Sequence, residues 1–222
     1  MTIVSIKMGA EGDLRRAEFS DGSFLSFRTC YLPQGFAEES LCDPGCIDAA
    51  EGLELDQDAE EGLRFAAACF GAERAALQLI ARAEQTAFGL SRKLGKRGHD
   101  SACANAVILR LFDLGLLDDC RYARLWLESR ISRQASSPAR LLAGLRARGV
   151  DRDDAKQALG EALDDEAEQR LLERFMQKQQ RKRKGSRGLQ PEEDSDFARR
   201  SLKYLLKSEG FSPLAIEQVL DA

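Results

Sequence analysis

The stretch Leu111 to Arg130, LFDLGLLDDCRYARLWLESR, decides the fold, because it holds the end of one helix, a turn and the start of another. Leu111 and Leu114 close an apolar stripe that begins at Val107 and Ile108, and Gly115 supplies the left-handed residue that stops a helix. Asp118 restarts the chain as an N-cap, with Asp119 beside it in the first turn, where the helix dipole favours negative charge. Adjacent acids in this position are caps and not a catalytic carboxylate pair. Tyr122, Ala123, Trp126 and Leu127 then share one helical face, while Arg121, Arg124, Glu128 and Arg130 take the rest. That spacing predicts Tyr122 and Trp126, the only tryptophan, in the core and not as stacking platforms for bases.

The same punctuation recurs on both sides of this hinge. Leu94-x3-Gly98, Leu145-x3-Gly149 and Leu206-x3-Gly210 each close a helix, and each is followed by a new cap: Asp100 or Ser101, Asp151, and Ser212 ahead of Pro213. Six, nine and ten residues past each glycine stand Ala104, Val107 and Ile108, then Ala155, Ala158 and Leu159, then Ile216, Val219 and Leu220. A stop, a cap and a stripe matching together three times mark an internal repeat. Each unit reads as a helix ending in the glycine, a helix carrying the stripe, and a third like Asp118 to Ile131 that leads onward. A unit this small cannot bury its own face, so the expected fold is mainly α, with tandem three-helix repeats stacked in an elongated array. The repeat regions run over 57–131, 132–177 and, in part, 195–222. Between the last two, residues 178–194 form an insertion in which KQQRKRKGSR carries six positive charges and acidic PEEDSD follows, a composition expected to be a flexible excursion.

Upstream the character changes. Residues 1–56 read as a small β-rich segment with an acidic linker. TIVSIKM (2–8) alternates imperfectly around Val4, and Arg16–Ser20 and Ser23–Arg28 flank Asp21-Gly22, a pair that favours a type I′ hairpin turn. Pro33, Pro44, Gly45 and Gly52 punctuate the linker, with a short strand at Gly52 to Leu55. Asp56 or Asp58 opens the helical part, Gly71 separates its first two helices, and Thr86 caps or interrupts before the helix that ends at Gly98.

Charge is uneven along the chain. Residues 1–70 carry a net charge of −9, residues 71–150 +7 and residues 151–222 −2, so the basic middle points to a partner with an anionic surface, nucleic acid or an acidic protein face. No run approaches eighteen apolar residues and the start lacks a basic and apolar leader, so neither a membrane span nor a signal peptide is expected and the cytoplasm is the expected compartment. Of Cys30, Cys42, Cys46, Cys69, Cys103 and Cys120, no spacing repeats, and reduced buried thiols are expected; Cys30, Cys42 and Cys46 make a loose zinc alternative. Phosphate-loop, dinucleotide and H-E-x-x-H motifs are absent, and one histidine, His99, which follows Gly98 as a surface residue, cannot support most acid/base schemes. No catalytic residue, metal or cofactor is expected.

The segments AALQLIARAEQTAFGLSRKLGKRGH, VILRLFDLGLLDDCRYARLWLESR, ARLLAGLRARGVDRDDAKQALGEALDDEAE and LKYLLKSEGFSPLAIEQVL, in that order over roughly 72–222, resemble the bacterial RecX family of recombination regulators. The most specific piece is Gly115, Leu117, Asp118, Asp119, Arg121, Tyr122 and Ala123, supported by the Arg-Gly-Val and Glu-Gly-Phe helix ends, with Trp126 completing the structural motif. Gly89-Leu90 departs from the acidic residue that the family usually has before the leucine. The resemblance implies tandem three-helix repeats and a non-enzymatic protein that lies in the groove of the RecA recombinase filament and restrains it, in recombination, DNA repair and the SOS response. The basic stretches of the chain add single- or double-stranded DNA, bound without sequence preference, as a further expected partner.

The contact candidates come from the residues themselves. Arg121, Arg124, Arg130, Arg133, Arg140, Arg146 and Arg148 concentrate guanidinium groups on two helices, suited to forked hydrogen bonds with carboxylates or phosphates. Lys182, Arg183 and Lys184 of the basic run suit a phosphate backbone. The alternative from another class is a regulator whose helix pair acts as a helix-turn-helix on duplex DNA.

Overall fold

The computed structural model describes residues 2–9, 12–33, 53–185 and 195–221. It begins with a four-stranded antiparallel sheet of order β3-β2-β1-β4, made of β1 (Thr2–Met8), β2 (Leu14–Phe19), β3 (Phe24–Arg28) and β4 (Leu53–Glu54). The imperfect alternation around Val4 is a β-bulge: Ile3 pairs with Phe19 and Ser5 with Glu18, so Val4 is the extra residue and points outward. The hairpin corrects the expected type I′ turn on Asp21-Gly22. Gly22 N–H donates to the Phe19 carbonyl and Phe19 N–H to the Ser23 carbonyl, both at 2.9 Å, while Gly22 takes φ +78°. This is a three-residue loop with a left-handed glycine. Asp21 is occupied instead as an acceptor, its Oδ1 taking the Ser23 N–H and hydroxyl.

Nine α-helices follow among the described residues: α1 (Gln57–Ile80), α2 (Ala87–Lys96), α3 (Ser101–Asp113), α4 (Asp119–Arg133), α5 (Pro138–Arg146), α6 (Arg152–Ala162), α7 (Asp165–Gly185), α8 (Ser195–Ser208) and α9 (Pro213–Asp221). The expected break at Gly71 does not occur. One glycine in a helix costs about 1 kcal/mol, and the buried face of Leu63, Ala66, Cys69, Ala72 and Ala76 outweighs it, so α1 runs straight through.

Every glycine stop read from the sequence has the same geometry. Gly98, Gly115, Gly149 and Gly210 take φ of +85°, +66°, +85° and +87°. In each, the glycine N–H donates three residues back, and a following N–H reaches the repeat leucine: His99 to Leu94, Leu116 to Leu111, Val150 to Leu145, Phe211 to Leu206. These are Schellman closures, which satisfy carbonyls the helix end leaves orphaned. The caps match too: Asp100 Oδ1 accepts from Ala102 N–H at 2.7 Å, Asp118 from Arg121 and Asp151 from Asp153 at 2.8 Å, and Ser212 Oγ from Ala215 at 3.2 Å. Asp56 and Thr86 cap α1 and α2.

The repeat is real but its phase differs from the expectation. Two compact units divide at Leu117/Asp118, not at residue 131, and no division falls at residue 56. In the first unit the sheet and α1–α3 share one core, in which Ile3, Phe19, Phe27 and Tyr31 join Leu63, Leu90, Leu94 and Leu111. In the second, α4 packs chiefly against α6, so it opens a bundle with α5 and α6, and α7 to α9 form the next. The longest helix therefore starts each three-helix bundle. A second correction concerns the basic insertion: α7 continues to Gly185, and Lys, Gln and Arg are good helix formers. Residues 186–194 lie outside the described residues.

Helix ends in the second unit are completed by side chains from far along the chain. Arg174 donates to the Ile131 and Gln134 carbonyls, and Lys178 Nζ to that of Ala135 at 3.2 Å, closing the end of α4. Glu168 accepts from Ser212 N–H and Oγ, both at 2.7 Å, at the start of α9. Ser137, at the N-cap of α5, does not cap its own helix; its hydroxyl donates to Glu209.

Candidate contact surface on the second unit

The candidate arginines sit on α4, α5 and the turn after α5. Between Ser129 and Val150 there is no acidic residue and there are five arginines, which makes this the most one-signed stretch of the second unit before α7 ends. Arg124, Arg133, Arg140 and Arg146 are exposed; Arg121, Arg130 and Arg148 are half-buried. Arg140 Nε stands 3.8 Å from a Glu209 carboxylate oxygen, and Arg121 Nη1 4.0 Å from Asp118, both solvent-screened pairs.

Trp126 lies between α4 and α5 and gathers two of these arginines. It is half-buried, as is Tyr122, and both pack on the edge of the second core, which corrects the expectation that they lie within it. The reason is steric. Ala123 and Leu127 already fill the inward line of α4, with no exposed surface, and the indole is turned onto Gly144 of α5 instead. The Arg148 guanidinium carbon lies 4.7 Å from the ring centroid and that of Arg130 5.6 Å, both within the range of a cation–π contact. Arg148 Nη1 also donates to the Gly144 carbonyl at 2.7 Å, which holds the guanidinium in place. Two arginines are thus pre-positioned on an aromatic platform. Such an arrangement presents forked donors at little further entropic cost. Gly144 is the residue that sequence reading missed. The signal was present, a glycine inside a helical pattern, but only the facing tryptophan gives it meaning.

The other predicted residues are placed as follows. Gly115 is the stop of α3, Asp118 the cap of α4 with Asp119 in its first turn, and Ala123 lies in the core of the second unit. Lys182, Arg183 and Lys184 fall in the final turns of α7, and their side chains lie outside the described residues. Cys42 and Cys46 lie outside them as well. Cys30 and Cys120 are exposed, contrary to the expected burial, while Cys69 and Cys103 are buried, and burial pushes the Cys69 thiol well above its ordinary value. Among the described residues no cluster has the composition of a metal site. No helix there is long and apolar enough to cross a membrane.

The first unit holds a charged cluster that no sequence pattern announced. Arg28 Nε donates to Glu73 Oε2 at 2.9 Å and Arg28 Nη1 to Asp13 at 2.5 Å; the Tyr31 hydroxyl donates to the same Glu73 oxygen at 3.0 Å, and Arg110 Nη2 to Asp13 Oδ2 at 2.7 Å. Burial and the Glu73 charge push the Tyr31 hydroxyl far up, so it stays a donor. Each carboxylate is engaged by arginine, so the cluster locks the sheet to α1 and α3 and leaves no free acid or base.

Three-helix bundles in tandem, with left-handed glycine stops and side-chain caps, define a helical-repeat protein. The chain belongs to the RecX family of regulatory proteins. The family's model for the RecX second three-helix domain matches residues 118–159, which are α4 to α6 almost to the residue. Regulatory protein RecX of Treponema pallidum (strain Nichols) is 38% identical over 126 residues, 57% of this chain and 77% of that one. Regulatory protein RecX of Halorhodospira halophila is 41% identical over 91 residues, 41% of this chain and 53% of that one. A crystal structure of regulatory protein RecX shares the fold, with a TM-score of 0.69 at 19% identity over 100% of this chain and 99% of its own.

Proposed function

We propose that this RecX-family chain is a non-enzymatic regulator of homologous recombination and the SOS response that acts in the bacterial cytoplasm by binding the RecA nucleoprotein filament. The observation that carries the reading is the α4–α5 pair, where Arg130 and Arg148 are held against Trp126 and the same two helices carry the exposed Arg124, Arg133, Arg140 and Arg146. Acidic faces of a protein filament and the phosphates of its DNA both suit forked donors. A body lodged between protomers restrains the filament by occupancy, obstructing DNA access and the subunit movements that accompany ATP turnover.

The test is the DNA-dependent ATPase and strand-exchange activity of the cognate recombinase titrated with this protein. Suppression of both, at stoichiometric amounts or below and without DNA sequence preference, supports the reading. An unaffected ATPase together with protection of one defined duplex site would replace it with the helix-turn-helix alternative. Trp126, the chain's only tryptophan, gives a built-in reporter, because engagement of Arg130 or Arg148 alters the ring's surroundings.

A further inference from the structure

A second basic surface lies in the first unit, on α2. From Ala87 to His99 there is no acidic residue, while Arg92, Lys93, Lys96 and Arg97 supply four cations. Two of them are tied to the scaffold: Lys93 Nζ donates to Gln85 Oε1 at 2.6 Å, and Arg97 Nη1 to the Ala75 carbonyl at 3.2 Å. The other two, Arg92 and Lys96, are exposed, and no carboxylate among the described residues stands within ion-pair distance of either. One turn before Arg92, Phe88 keeps 47% of its surface exposed, with the Arg92 guanidinium carbon 5.7 Å from its ring centroid.

The helix is locked in rotation. Leu90 and Leu94 are wholly buried on its inner side, and Thr86 Oγ1 caps it by accepting from Gly89 N–H at 3.0 Å. Phe88, Arg92 and Lys96, four residues apart in turn, therefore form an outward row that climbs about 6 Å per step. An exposed ring followed by two unneutralised cations matches a base and the phosphates beside it. A duplex hides the faces of its bases, so the ring has nothing to stack on there; a single strand offers them.

We propose that this row is a binding surface for single-stranded nucleic acid, with Phe88 stacking on a base and Arg92 and Lys96 contacting phosphates. It involves none of the arginines on α4 and α5, and it stands whether or not the chain meets a recombinase.

Binding of labelled oligothymidylate to the full chain, followed by fluorescence anisotropy across a salt series, tests it. R92E/K96E is expected to weaken binding at least tenfold and to flatten the dependence of log affinity on log salt by about 1.4, the release expected for two phosphates of a single strand. F88A is expected to weaken binding about fivefold or more with the salt dependence unchanged, and F88W to restore it. All three positions are exposed, and thermal melting checks that each variant keeps the parent's fold. Parent-like binding by R92E/K96E overturns the proposal, as does equal weakening by F88A and F88W. So does a loss on F88A that is as large for a duplex as for the single strand, or one seen only with a protein filament and not with the free oligonucleotide.

Discussion

The indole of Trp126 lies so close to Gly144 that a Cβ placed there would stand 2.6 Å from the ring. A glycine inside an exposed helix ordinarily gains stability on replacement by alanine, by up to about 1 kcal/mol. Here G144A is expected to lose that gain and to push the ring off α5, so that emission from the only tryptophan moves to the red and the contacts to Arg130 and Arg148 weaken. Unchanged emission with raised stability would show that Trp126 does not rest on Gly144.

The Schellman glycines allow a graded comparison. Gly115 and Gly210 both take positive φ, but open space surrounds Gly115 while a Cβ on Gly210 would meet the Ala139 nitrogen at 3.3 Å. G115A is expected to cost about 1 kcal/mol, the strain of a left-handed alanine, and G210A measurably more. Urea midpoints order the two, and a reversed order would contradict the packing of the α8 end on α5.

Glu73 is 2% exposed and accepts from both Arg28 and Tyr31. Removing one partner of a buried ion pair leaves an uncompensated charge, which costs about 3 kcal/mol or more. E73A is therefore expected to destabilise the first unit far more than a surface exchange such as E61A does, read as a lost or shifted denaturation midpoint.

Asp13 gives a pH signature. Burial opposes its ionisation, but the hydrogen bond and charge of Arg28 and the charge of Arg110 overcome this and hold its carboxyl below the ordinary value of 3.8. A depressed folded-state value stabilises above the unfolded-state value and is lost as pH falls through the folded one. The parent should thus lose stability below about pH 3.8 faster than D13N, whose curve lacks this contribution. Parallel curves would show that Asp13 carries no linked stability.

What could be read from the chain is what local chemistry determines. The stops at Gly98, Gly115, Gly149 and Gly210 and the caps at Asp100, Asp118, Asp151 and Ser212 depend only on a few neighbouring residues, and all appear in place. The phase of the repeat was not legible, because α4 and α7 carry no mark of which neighbour they pack on. Nor were the closures by Arg174, Glu168 and Glu209, whose partners lie 43, 44 and 72 residues away. Trp126 shows the limit of periodicity: the stripe marks its side of α4 but not that Ala123 and Leu127 fill the interior first. At the contact surface the arginines were visible as composition, whereas their fixing by Gly144 and the indole needed the third dimension.

In the proposed function the exposed guanidinium groups of α4 and α5 engage the recombinase filament. Co-sedimentation of the R124E/R133E/R146E variant with RecA filaments on single-stranded DNA, beside the parent chain, tests it most directly. None of the three arginines packs on Trp126, so the fold and the tryptophan emission should be retained while affinity for the filament falls at least tenfold. Parent-like sedimentation of a correctly folded variant would contradict the claim.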